Sequence, residues 1–177
     1  MGMKRLRRQC AKVIDTVEIP DPFDVRELSS RIGQRRGRPI HLIPYRMPAG
    51  GPCGLWVSTD NADYIVYEEH TSTLHREHII LHELGHLLCD HQMTPAHDGE
   101  PAGPVFPSLD PRTVERVLQR THYTAVEEQQ AELIASLILE RVSRWAPSRY
   151  PPSNAREISA RDADTIDRIR RSLGDQG

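Results

Sequence analysis

The chain has 177 residues, of which 23 are basic and 25 acidic, leaving a formal net charge of -2. This balance gives no general attraction to nucleic acid or to an anionic membrane, so we expect a direct interaction with neither. No apolar run is long enough to span a bilayer. We predict a single domain over residues 1–177 with a core at about 22–146, and the three cysteines and the lack of a secretory signal favour a cytoplasmic location.

Two helices are predicted before the first strand. Apolar residues recur at helical spacing from Leu6 to Val17, which predicts a first helix over residues 3–18. Its outer face is basic and would suit nucleic acid, but a solvated surface is the interpretation that we favour. Asp21 and Pro22 predict the start of a second helix, as N-cap and first helical residue, and Gly33 is expected to end it.

Three short strands are predicted next, and they define the fold class. Residues 40–43 alternate in polarity, and residues 55–58 and 64–67 flank a turn, which indicates an antiparallel pair. We predict an α+β fold in which a small antiparallel or mixed three-stranded sheet packs on the following helix, with a mainly helical C-terminal half. An edge strand of this sheet could hold an extended peptide by main-chain hydrogen bonds.

The following helix, predicted from about Leu74 to Cys89 with N-cap candidates at 71–73, carries the most informative motif of the chain. It contains His82-Glu83-x-x-His86. The four-residue spacing puts both imidazoles on one face, where they can bind one zinc ion. Glu83 is then placed to act as the general base of a metallopeptidase. The alternative is a core helix with two incidental histidines.

The rest of the chain is predicted to be mainly helical. Residues 93–111 are rich in proline and glycine and predict a surface loop, with a lid over the cleft as an alternative. A short helix is expected near Val114–Leu118, a long one from Ala125 to about Trp145, and a last one over residues 154–173.

A catalytic zinc ion usually has three protein ligands, so the motif needs a third. The third histidine of metzincins is absent, and an acidic residue from the helix at 125–145 is the standard alternative. Glu128 and Glu132 extend an apolar, core-facing row, which favours Glu128 as the ligand and Glu132 as the group that orients a ligand histidine. Glu127, Glu132 and later histidines such as His91 stay open as alternative ligands.

These residues predict a hydrolytic enzyme. His122 and Tyr123 directly precede the ligand helix and are the candidates for stabilising the oxyanion of peptide hydrolysis, which Glu83 would catalyse. Zinc is the expected ion, and manganese or another divalent ion is the alternative. The rival hypothesis is a non-catalytic, metal-containing regulatory protein that binds a transcription factor or a toxin partner. A purely structural metal site, however, has no use for the base at Glu83.

The chain resembles the ImmA/IrrE family of small bacterial zinc metallopeptidases over roughly residues 25 to 142. The matching segments are residues 82–88 and Glu128-x-x-Ala131-Glu132-x-Ile134-Ala135. Residues 36–40 and 54–57 resemble actinobacterial members. Two departures are Glu132, where the family usually has Asn, and a long insertion over residues 93–124.

The resemblance implies a zincin-like fold, a zinc cofactor and a protein substrate. Members of the family are often encoded beside helix-turn-helix repressors and cleave them, so such a repressor is the expected substrate. The chain shows no helix-turn-helix or sensor segment of its own, which predicts a bare peptidase domain.

Overall fold

The computed structural model describes residues 2–47, 49–91, 94–95 and 121–145. Within them lie four helices, α1 (Met3–Ile14), α2 (Val25–Arg36), α3 (Thr73–Leu88) and α4 (Ala125–Trp145), and five strands, β1 (Ile40–Tyr45), β2 (Gly54–Ser58), β3 (Asp63–Glu68), β4 (Thr94–Pro95) and β5 (Thr121–His122). The predicted α+β class is therefore confirmed for the described part. Of the described helices, none is both long and apolar enough to cross a membrane.

The chain divides into two compact units, residues 1–138 and residues 139–177. The three-stranded sheet, α3 and the predicted site residues belong to the first unit. Of the second unit, the structure describes only the end of α4. The predicted helices near 114–118 and over 154–173, and most of the predicted loop at 93–111, lie outside the described residues. Thr94–Pro95, at the start of that loop, pairs with Thr121–His122 as a short antiparallel ladder that was not predicted.

The first two helices differ from their predicted boundaries. The prediction that α1 extends to residue 18 is wrong, because the helix ends at Ile14. The prediction that Asp21 caps α2 is also wrong: the Oδ1 atom of Asp24 accepts the amides of Arg26 and Glu27 at 2.8 and 2.9 Å. The peptide bond before Pro22 is cis and precedes the helix.

The end of α2 also lies later than predicted. The helix runs through Gly33 and ends before Gly37, whose φ of 69° is the left-handed conformation that glycine adopts without strain. A Cβ atom on Gly33 would lie 2.8 Å from the carbonyl oxygen of Arg38. Gly33 is thus the residue that lets the chain fold back against its own helix on the way to β1.

The sheet is mixed, with the strand order β1-β3-β2. β1 runs parallel to β3, and β2 pairs with β3 in the antiparallel arrangement that the short turn between them predicts. β2 is therefore an edge strand. It alternates little in burial, because Leu55, Trp56 and Val57 are all buried.

Helix α3 packs on β2 and β3. Its N-cap is Ser72, one of the three candidates at 71–73, and the hydroxyl of Ser72 accepts the amide of His75 at 3.2 Å. Five of its aliphatic side chains are buried in the core: Ile79, Ile80, Leu81, Leu84 and Leu87. This burial holds the helix in one rotational setting, in which His86 is also buried and His82 is partly exposed.

α3 and α4 approach each other closely at Gly85. A Cβ atom built there would lie 2.8 Å from both the Cα atom and the carbonyl oxygen of Ala131. Real Cβ atoms do not come so near to a backbone, and a helix backbone cannot swing aside as a flexible side chain can. The glycine inside the motif therefore sets the distance between the two helices.

We expect Gly85→Ala to lower the free energy of unfolding by about 1–3 kcal/mol, the usual cost of an extra methyl group in a packed core. The measurement is urea unfolding followed by circular dichroism. Gly2→Ala is the matched control, because nothing lies within 4 Å of a Cβ atom at Gly2. If both variants unfold at the same urea concentration as the wild type, the close approach does not limit the packing of the helices.

Candidate metal centre

Two histidines of α3 and one glutamate of α4 bring their side-chain tips together. The Nε2 atoms of His82 and His86 are 3.1 Å apart. The Oε2 atom of Glu128 lies 3.2 Å from Nε2 of His82 and 3.9 Å from Nε2 of His86. Ligands in a tetrahedral zinc site are about 3.3 Å from one another. The three side chains therefore form a cluster that could hold a metal ion.

The other two glutamates at the start of α4 have different partners. Oε2 of Glu127 accepts the amide of Thr124 at 2.7 Å, and the hydroxyl of Thr124 accepts the amide of Glu127 at 3.3 Å, which is a capping box. Oε2 of Glu132 lies 3.1 Å from Nε2 of His78 and 3.5 Å from Nδ1 of His82. Glu127 thus caps the start of α4, and Glu132 lies beside His78 and His82. Glu128 is the carboxylate that faces the Nε2 atoms of both His82 and His86.

His86 is in the protonation state that a metal ligand needs. His86 is 1% exposed, and this burial, with smaller contributions from His82 and His91, lowers the pKa of His86 to about 3. Its imidazole is therefore neutral at physiological pH, and one ring nitrogen keeps a free lone pair. Glu132 lies 3.5 Å from Nδ1 of His82, and its hydrogen bond to a histidine goes to His78, so its orienting role stays a prediction.

Glu83 lies beside the cluster and is almost completely buried, between α3 and the edge strand β2. Burial raises the pKa of Glu83 to about 8, the charge of Glu128 adds to the rise, and the backbone amide of Trp56 opposes it. A dication on the neighbouring ligands would also oppose it, because it favours the ionised carboxylate. Glu83 is thus a titratable group whose proton affinity the surroundings hold near neutrality.

Gly54 on β2 makes the room for this carboxylate. A Cβ atom there would lie 2.6 Å from Oε1 of Glu83 and 2.7 Å from Cγ2 of Ile79. In the sequence Gly54 only precedes the predicted strand at 55–58, and nothing local reveals which distant side chain approaches it. This glycine is therefore a site residue that sequence reasoning missed.

The cluster opens into a cleft of about 300 Å³. The three predicted ligands line it together with Glu83, Glu132 and Tyr123. One wall is partly apolar and consists of Pro52, Leu55 and Ile79. The cleft thus combines the clustered ligand atoms, a buried carboxylate and apolar surface in one place.

Tyr123 covers one side of this cluster. Its ring stacks on that of His86, with the centroids 3.6 Å apart and the planes at 19°. Its hydroxyl is buried and has no hydrogen-bond partner among the described residues. Burial, and then the charges of Glu83 and Glu128, raise the pKa of Tyr123 well above its ordinary value, so the hydroxyl keeps its proton. The other predicted residue, His122, lies in β5, and its side chain is outside the described part.

His91, one of the alternative ligands, lies behind His86 instead. Its Nδ1 atom is 2.9 Å from Nδ1 of His86, and its Nε2 atom is 3.0 Å from Oε1 of Gln130. Sequence reasoning missed Gln130, because a neutral amide inside a helix gives no signal of a metal site.

Comparison with models of protein families, with curated proteins and with solved structures found no match. The interpretation of the site depends on its geometry and on the motif. These define a cluster of two histidines and one carboxylate that could hold a metal ion, next to a buried glutamate in a cleft.

Proposed function

We propose that the chain is a zinc-dependent metallopeptidase that hydrolyses a peptide bond in a protein substrate. The observation that carries this proposal is the buried carboxylate of Glu83 beside three converging ligand atoms at an accessible cleft. A structural zinc site has four protein ligands and no open position, whereas a catalytic site has three ligands and an open position. The resemblance to the ImmA/IrrE family supports the same class of enzyme.

His82, His86 and Glu128 would hold the ion. Bound there, zinc would lower the pKa of a water molecule and polarise the scissile carbonyl. Glu83 would accept the proton of the attacking water and pass it to the leaving amine. Burial raises the pKa of Glu83 to about 8, and the positive charge of a bound ion would favour the ionised form that accepts the proton. Tyr123 donates its unused hydroxyl hydrogen to the oxyanion that develops on the carbonyl.

The edge strand β2 is the element that would position the substrate. Gly54 and Leu55 belong both to this strand and to the lining of the cleft. An extended peptide can add to such an edge through main-chain hydrogen bonds, which suits cleavage of a flexible segment of a protein. The apolar wall of the cleft would accept an aliphatic side chain next to the scissile bond. By the family resemblance, a helix-turn-helix repressor is the first substrate to test.

The proposal is tested by searching for new N-termini. An extract of the source cells is incubated with the zinc-loaded protein, and a second sample with protein treated with EDTA. Terminal amines are then labelled and identified by mass spectrometry. We expect new N-termini in the zinc sample only, confined to one or a few proteins. If a partner is retained by the protein but no new N-terminus forms, the chain is the non-catalytic regulator of the rival hypothesis.

We expect Tyr123→Phe to lower kcat for a peptide containing the cleavage site by about 10²- to 10³-fold, the usual loss for one oxyanion donor. Zinc content and KM should change little, because the ring still stacks on His86. The matched control is Tyr64→Phe, whose ring lies on the sheet against His41, outside the cleft. Equal kcat values for the two variants would show that the hydroxyl of Tyr123 does not stabilise the oxyanion.

A further inference from the structure

A row of three hydrogen-bonding side chains runs away from the metal cluster into the protein. Nδ1 of His86 and Nδ1 of His91 are 2.9 Å apart, and Nε2 of His91 is 3.0 Å from Oε1 of Gln130. His86 is 1% and His91 5% exposed, so water does not compete for these bonds. The row connects α3 to α4 behind the cluster, on the opposite side of His86 from Glu128.

The chemistry of the last group sets the direction of every bond in this row. The amide oxygen of Gln130 can only accept, so the nitrogen of His91 that faces it, Nε2, carries a hydrogen and donates. With one hydrogen on each ring, Nδ1 of His91 has a lone pair and accepts from Nδ1 of His86. The remaining nitrogen of His86, Nε2, is left as a lone pair. This is the atom that lies 3.1 Å from Nε2 of His82 and 3.9 Å from Oε2 of Glu128.

The backbone holds the two rings in this arrangement. α3 ends in a Schellman motif, in which the amide of His91 bonds to the carbonyl of His86 at 3.1 Å and the amide of Asp90 to that of Leu87 at 3.2 Å. Asp90 has the left-handed φ of 52° that this turn requires. This turn therefore links His86 to His91 by a backbone hydrogen bond and places the centroids of their rings 5.0 Å apart.

We propose that His91 and Gln130 are positioning residues that fix the tautomer and orientation of His86, so that its metal-binding nitrogen is ready before the ion arrives. The reverse tautomer would place a hydrogen on Nε2 and abolish its ability to bind a metal. Tyr123, stacked on His86, prevents the ring from tilting out of this geometry. The inference rests on the proposed metal site and does not require that the site hydrolyses peptides.

The two ligand histidines are thus held in different ways. Nδ1 of His82 faces Glu132, which is 54% exposed, at 3.5 Å. Nδ1 of His86 faces the buried imidazole of His91 at 2.9 Å. An exposed carboxylate contact is weakened by water and salt, whereas a buried row of bonds keeps its direction. We therefore infer that the ring of His86, rather than that of His82, is the ligand fixed before the ion binds.

The first experiment reads the tautomer directly in the metal-free protein. Nitrogen-15 NMR of the histidine side chains distinguishes a protonated ring nitrogen from one with a lone pair. In the wild type we expect the hydrogen of His86 on Nδ1. In His91→Leu this preference should be lost, and in His91→Asn it should persist, because Oδ1 of asparagine can accept the same hydrogen.

The second experiment measures zinc affinity by competition with a chromophoric chelator. His91→Leu should bind zinc roughly 10- to 100-fold more weakly than the wild type, the usual effect of removing the outer partner of a ligand histidine. His91→Asn should bind within a few-fold of the wild type. Gln130→Met should also weaken binding, whereas Gln129→Met, the same change at the exposed neighbouring residue, should not.

Several outcomes would overturn the inference. A hydrogen on Nε2 of His86 in the metal-free wild type would do so, as would wild-type zinc affinity in His91→Leu. If thermal unfolding shows that His91→Leu does not fold, the zinc affinities of Gln130→Met and Gln129→Met are compared instead. Equal zinc affinities of these two variants would contradict the positioning role of Gln130. If the tautomer and affinities are as expected but no protein is cleaved, the positioning role stands and the proposed peptidase function fails.

Discussion

Glu83→Gln is expected to keep zinc bound while lowering kcat for peptide hydrolysis by about 10²- to 10⁴-fold, the range for loss of a general acid-base group. Glutamine has the shape of glutamate, so it fits the space that Gly54 leaves beside α3. It cannot accept the proton of water. It also needs no ionisation in a buried environment, so the fold should tolerate the change.

The measurement combines zinc analysis of the purified variant with the cleavage rate of a peptide that spans a site identified in the extract. Glu69→Gln is the matched control, because Glu69 is 41% exposed and does not line the cleft. A variant that cleaves at the wild-type rate would show that Glu83 is not the base. A variant that loses zinc together with activity would instead place Glu83 among the ligands.

Glu128→Gln is expected to weaken zinc binding by more than roughly 100-fold, which exceeds the usual effect of losing an outer partner. Glu128 supplies the only carboxylate oxygen of the proposed ligand set, so the substitution removes the anionic ligand. At 49% exposure the side chain has no packing role that its loss would disturb. Affinity should therefore fall without a matching fall in thermal stability.

The neighbouring glutamates provide the controls for this result. Glu127→Gln should leave zinc affinity unchanged, because glutamine also completes a capping box with Thr124. Glu132→Gln should weaken binding by roughly tenfold, since it removes the charge beside Nδ1 of His82 but leaves an oxygen that can accept. If Glu127→Gln or Glu132→Gln is the most damaging of the three, the third ligand has been assigned wrongly.

The helices that carry the site follow from local sequence signals. α3 begins after one of its three cap candidates, and α4 spans the predicted residues. The distance between His82 and His86 needs only the helical repeat, because residues four apart lie on one face. The three strands and the antiparallel pair of β2 and β3 followed in the same way from strand patterns and a short turn, whereas the parallel pairing of β1 with β3 did not.

Other local signals were ambiguous. Asp21 followed by Pro22 and Asp24 both satisfy the rules for a helix start, and the structure uses Asp24. Glu127, Glu128 and Glu132 are all acidic residues near the start of one helix. A helical row predicts which of them share a face, but it does not show the rotation of the helix or which carboxylate closes a capping box.

The sequence by itself thus determined the pair of histidines, the adjacent glutamate and the helices that present them, because these depend on contacts within one or two helical turns. Only the tertiary structure decided that Glu128 faces both histidines, that Gly54 makes room for Glu83, and that Gly85 sets the spacing of α3 and α4. It also decided that His91 and Gln130 lie behind His86. Apart from the pair His86 and His91, these relations join residues tens of positions apart, and the packing of the core that brings them together leaves no periodic trace in the sequence.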